Sequence, residues 1–75
     1  MTRPISQIAA EIDLDWKKVN YAARPYLDAM HSLSGIEDSY YSDSAKSVVL
    51  YFLSNSGTWR GETARRVKAE LKAMV

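Results

Sequence analysis

A chain of 75 residues, 47% hydrophobic and 25% charged, with three glycines and two prolines, has the composition of one small folded domain and excludes a disordered or low-complexity protein. It has no cysteine and one histidine, which rules out a disulfide framework and a Cys/His zinc site, so a core burying only about 60% of the unfolded surface must hold by helix packing. Ten basic residues against nine acidic ones leave a net charge of +1, and the longest apolar run, Val48 to Leu53, is far short of the roughly 20 residues that span a bilayer.

At the N-terminus, Met1-Thr2-Arg3-Pro4 leads into a polar-interrupted pattern instead of the apolar stretch and small-residue cleavage site of a secretory signal, so a cytoplasmic location is expected. Pro4 suits the first turn of a helix, where its missing N–H has no partner to lose. Apolar residues then recur at Ile5, Ile8, Ala9, Ile12, Trp16, Val19, Ala23, Tyr26, Leu27 and Met30. From Ala9 onward their steps alternate three and four, a heptad spacing that predicts one long amphipathic helix. Pro25 obstructs it, because a proline inside a helix removes a hydrogen bond and costs about 3 kcal/mol. The chain must therefore kink there, or restart with Pro25 in the first turn of a helix over Tyr26 to Leu33.

The same stretch supports a second reading. Ile8, Ala9, Glu11, Ile12, Leu14, Asp15 and Val19 have the spacing of a helix-turn-helix, and this segment resembles the DNA-binding units of that kind. The resemblance implies a turn at Asp13, Asp15 as the cap of a recognition helix over Trp16 to Ala23, and Trp16, Lys17, Asn20, Tyr21 and Arg24 as DNA-contacting residues. Lys17 and Arg24 would meet phosphates, while Asn20 could read an adenine edge. Asp13 stands where glycine is usual, Lys18 where threonine is usual, and the two aspartates set negative charge against the phosphates. Leu14 separates the readings: it is buried in a helix-turn-helix and exposed on a continuous helix.

From His31 to Ser44 the rhythm breaks into a serine-rich loop around Gly35. Ser42 or Asp43 is the expected cap of the next helix, in which Ala45, Val48, Val49, Phe52 and Leu53 form a core-facing stripe. Ser54-Asn55-Ser56-Gly57 is a stop signal, with Gly57 suited to the left-handed position after a helix end. A last helix is expected from Thr58, with Ala64, Val67, Leu71 and Met74 as its seam, Trp59 as an anchor at its entrance, and Glu62 one turn before Arg66. Gly61 is costly in a helical turn and suggests close packing against the first helix.

Charge divides along the chain. Residues 28 to 44 carry Asp28, Glu37, Asp38 and Asp43 without a lysine or arginine, whereas Arg60, Arg65, Arg66, Lys68 and Lys72 outnumber Glu62 and Glu70 in residues 59 to 75. These five form a candidate basic surface, facing the acidic segment, solvent, or an acidic or nucleic-acid partner. His31, Ser32 and Asp28 sketch a triad, but neighbours in sequence build neither an oxyanion hole nor a substrate pocket. The spacing of Glu37, Asp38 and Asp43 lacks the pattern of a calcium loop. Tyr40, Tyr41 and Tyr51 are candidates for a protein interface, where tyrosine is enriched.

The expected fold is all-α: a single domain over residues 1–75, three or at most four helices in a small bundle, with a long N-terminal helix packed on a C-terminal helical hairpin. The expected function is non-enzymatic, with no catalytic residue, cofactor or metal and no membrane: binding another protein or itself. The alternative is a regulator that binds duplex DNA through residues 5–24. Short, cysteine-free and without a catalytic motif, the chain also resembles the small accessory proteins of phages and other mobile elements, which implies a regulator or an inhibitor of a host complex.

Overall fold

The computed structural model of the chain describes residues 3–40 and 43–75. It is mostly helical: α1 (Ile5–Asp15), α2 (Arg24–Met30), α3 (Ala45–Ser54) and α4 (Glu62–Met74), with a two-residue antiparallel pair, β1 (Ser39–Tyr40) and β2 (Asp43–Ser44), before α3. Among the described residues, no helix is long and apolar enough to cross a membrane.

The long N-terminal helix expected from the heptad is divided. α1 starts where expected, and all four of its first N–H groups are satisfied: Ile5 and Ser6 donate to the carbonyls of Ser34 and Leu33, both at 2.8 Å, and Gln7 and Ile8 donate to that of Pro4. It stops at Asp15, after which Trp16 is extended, with φ −92° and ψ 92°. Asp13 and Asp15 place two negative charges at the negative end of the helix dipole, which weakens this last turn. Asn20 then reopens helical structure. Its Oδ1 accepts from the N–H of Ala22 at 3.1 Å and its carbonyl accepts from Ala23 and Arg24, so Pro25 enters in the first turn of α2, where its ring costs nothing. Of the two routes past Pro25, the chain takes the restart, beginning at Arg24.

The heptad residues nonetheless meet in one core. Ile5, Ile8, Ala9 and Ile12 of α1 pack with Leu27 and Met30 of α2, Val49 and Phe52 of α3, and Val67 and Leu71 of α4, while Trp16 and Ala23 stay buried across the bend. α1 runs opposite to α2 and to α4: Asp13 pairs with Arg24 at one end of α1 while Ile5 meets Ser34 at the other, and residues 3, 11 and 15 of the first segment meet residues 70, 66 and 59 of the last.

The caps of the later helices differ from those expected. Ser44, the residue after Asp43, caps α3, its Oγ accepting from the Ser47 N–H at 3.1 Å, and Ser42 lies outside the described residues. α4 begins at Glu62 instead of just after Thr58, because Gly61 breaks the chain direction with φ 119° and ψ −176°, the only positive-φ glycine among the described residues. Gly57 therefore does not take the left-handed position. Nothing beyond the chain neighbours lies within 4 Å of where a β-carbon on Gly61 would sit, so this glycine is required by its backbone angles and not by close packing.

Candidate functional site

The best-built part of the molecule is the end where α1 finishes and α4 begins. Trp16 and Trp59 stack with ring centroids 5.7 Å apart and planes 12° apart, and Phe52 meets Trp16 edge-on at 6.1 Å. The Trp59 indole N–H donates to Asp15 Oδ2 at 2.8 Å. Lys68 lies beneath, its ammonium donating to the carbonyls of Ser56 (2.7 Å) and Trp59 (2.6 Å) and standing 5.8 Å from the centre of the Trp59 ring, a cation–π contact. Burial, followed by the nearby charges of Lys72 and Arg60, draws the Lys68 ammonium below the usual lysine range.

This arrangement removes most of the helix-turn-helix surface. Trp16 is 7% exposed and belongs to the core. The amide of Asn20 donates to the Asn55 carbonyl at 3.3 Å, so this side chain ties the α1–α2 bend to the end of α3. Arg24 is held by Asp13 and Asp28 at 3.2 and 2.8 Å. Lys17 and Tyr21 alone of the five stand fully exposed. Leu14 is 74% exposed, as on a continuous helix, yet the chain does turn, after Asp15 rather than at Asp13.

The five cations of the C-terminal segment are also not one surface. Arg66 turns toward α1 and pairs with Glu11, not with Glu62, which instead meets Arg65 at 3.2 Å. Arg60, Arg65, Lys68 and Lys72 remain together, lining a groove of about 600 Å³ with Trp59, Gly61, Glu62, Ala64 and Ala69. Of the tyrosines, Tyr51 stacks on Tyr26 with centroids 5.3 Å apart. Tyr40 pairs with Asp43 through the backbone, and Tyr41 lies outside the described residues. His31 caps the end of α2, and its Nε2 lies 2.5 Å from Asp13, so the carboxylate beside it is Asp13 and not Asp28. Asp38 accepts from the backbone N–H groups of Ser34 and Gly35, which fixes the loop it sits in. Among the described residues, no group of three or more His, Cys, Asp or Glu side chains could hold a metal.

Comparison with protein-family models, with curated proteins and with solved structures gives no match.

Sequence reasoning missed the charged ladder between α1 and α4. Arg3 pairs with Glu70 (2.7 Å) and Glu11 (2.8 Å), and Glu11 also takes Arg66. The spacing of Arg66 and Glu70, one helical turn apart, was the available signal, but their partners are more than fifty residues away in the chain. Arg66 and then Arg3 hold the Glu11 carboxyl below the usual range, and Arg3 does the same for Glu70 against the opposing effect of burial. At Asp13, burial pushes the pKa up, but the hydrogen bonds of Arg24 and His31 outweigh it and leave the carboxyl lowered. A carboxyl whose pKa is lower in the folded state contributes stability that is complete above its unfolded value and lost as pH falls through its folded value. The melting temperature should therefore hold steady down to the ordinary values of 4.5 for Glu and 3.8 for Asp, and decline below them. Glu11→Gln should flatten part of that decline. Equal acid sensitivity in the variant and the parent would show that the Glu11 pairs contribute nothing.

Proposed function

We propose that this chain is a small helical bundle that works as a non-enzymatic interaction protein, binding another protein or a second copy of itself through the tyrosine face of α2 and α3. The observation that carries this reading is the stacked pair Tyr26–Tyr51 on the outside of a filled core, with Leu50 exposed next to Tyr51 in α3 and Tyr21, in the bend before α2, 89% exposed. Tyr21 adjoins Asn20, whose amide reaches Asn55, and the amide of Asn55 in turn donates to the Tyr51 carbonyl, so the bend that carries Tyr21 is tied to the helix that carries Tyr51. Rigid tyrosines present much contact area with few rotatable bonds, and clusters of them mark protein interfaces better than general hydrophobicity does.

The test uses Tyr21→Ser/Tyr51→Ser. Both side chains are exposed, so the double variant should keep the parent's circular dichroism spectrum. If the partner is a second copy, the parent's melting temperature should rise with concentration over about a hundredfold range, and the variant's should not. If the partner is another protein, immobilised parent should retain it and the variant should release it. A melting temperature independent of concentration, together with no protein that distinguishes parent from variant, overturns the proposal.

A further inference from the structure

We infer that the groove along α4, lined by Arg60, Arg65, Lys68 and Lys72, binds the phosphate backbone of nucleic acid. This goes beyond the tyrosine face, which lies on other helices.

Three observations carry it. First, three of the four cations at this groove are left uncompensated, whereas every arginine outside it is paired with a carboxylate; Lys17, Lys18 and Lys46, which also lack an ion pair among the described residues, do not line it. Arg3, Arg24 and Arg66 are each paired with carboxylates of other elements. Among the described residues, no carboxylate lies within ion-pair distance of Arg60, Lys68 or Lys72, and the one acidic residue of the groove, Glu62, meets only Arg65 in a solvent-exposed pair. Such exposed pairs are weak and readily exchanged. Second, Lys68 is a fixed charge and not a waving one. Two of its three N–H donors are committed to the carbonyls of Ser56 and Trp59, and the third has no protein acceptor. Its repulsion from Arg60 and Lys72 is relieved by an anion set among them.

The third observation is the shape of the site. Arg65, Lys68 and Lys72 follow one another at steps of three and four on one face of α4, with Arg60 just before its first turn. From Arg65 to Lys72 the helical rise spans roughly 10 Å, with Arg60 beyond it at the helix entrance, a line longer than a single phosphate group fills. The occupant is therefore an extended polyanion. An acidic protein segment fits less well, because protein contacts centre on exposed apolar anchors, and the one aromatic residue of this groove, Trp59, is 2% exposed. Phosphates need only charge and N–H donors. Phosphate contacts carry no sequence information, so binding through them should be insensitive to sequence.

The experiment is fluorescence anisotropy with a labelled duplex DNA of about 20 base pairs, titrated with the full chain from about 50 to 200 mM salt. Three or four phosphate contacts give a slope of about −2.7 to −3.6 in log affinity against log salt, a fall of roughly 40- to 150-fold over that range. Arg60→Gln/Lys72→Gln removes two exposed charges that the fold does not use, and should lower the slope by about 2. Lys17→Gln/Lys18→Gln removes the same charge from the α1–α2 bend and should change it less. The inference is overturned by an absence of binding at the lowest salt, by a loss from the Lys17/Lys18 pair that equals or exceeds that from Arg60/Lys72, or by equal affinity for a polyglutamate peptide.

Discussion

Trp59→Ala should remove a large part of the protein's stability. Truncating a buried aromatic side chain costs about 3–5 kcal/mol, and a domain of this length has only about 4–11 kcal/mol in total. At this site the loss also removes the stack on Trp16, the hydrogen bond to Asp15 and the ring under which Lys68 is seated, so the upper part of that range is expected. Urea unfolding followed by circular dichroism measures it. Trp59→Phe, which keeps an aromatic ring but loses the N–H, should fall between parent and alanine variant. A midpoint for Trp59→Ala within error of the parent's would mean that the two tryptophans are not what joins the end of α1 to the start of α4. The same reasoning makes Trp16→Ala a folding variant, in contrast to the loss of DNA affinity alone that a helix-turn-helix implies.

The second large effect is at Gly61. Its backbone angles, φ 119° and ψ −176°, lie in a region that essentially only glycine enters, and forcing an L side chain there costs about 1–3 kcal/mol. Gly61→Ala should therefore lower the melting temperature by about 4–8 °C for each kcal/mol. A D-alanine at the same position, installed by chemical synthesis, mirrors the preference: φ near +119° is comfortable for it. It should stabilise by about 0.4–1 kcal/mol, through a less flexible unfolded chain. Opposite signs for the two enantiomers identify backbone torsion as the cause. Destabilisation by both would point to packing instead.

The apolar spacing carried much of the fold and misled at one point for a physical reason. Ile5, Ile8, Ala9, Ile12, Leu27, Met30, Val49, Phe52, Val67 and Leu71 are all legible as core residues, and all are buried. A heptad, however, records which residues face the core and says nothing about whether the chain between them stays helical. Trp16 and Ala23 keep the phase of a helix while the backbone joining them does not, because the bend returns each to the same interior. The clue was electrostatic: two aspartates in one turn, followed by Asn20 and Pro25, favour an end and a fresh start over continuation. Trp59 could be read as an anchor but not its partner, since the stack joins residues 43 positions apart in sequence, and a tryptophan on a heptad and a tryptophan on a recognition helix look alike until the bend is known. The groove on α4 was half legible. Five basic residues were plain, but only three-dimensional pairing shows that Arg66 is committed to Glu11 while Arg60 and Lys72 are left without a carboxylate.

The tryptophan pair has a consequence for observation as well. The chain has two tryptophans, and they form a single stacked, buried unit. Tryptophan emission, excited at the long-wavelength edge where tyrosine does not absorb, thus reports on one end of the molecule alone. A signal there that departs earlier than far-ultraviolet dichroism during unfolding would register the loops of residues 16–23 and 55–61 coming apart ahead of the helices, so this protein carries its own optical label for the seam between its first and last helices.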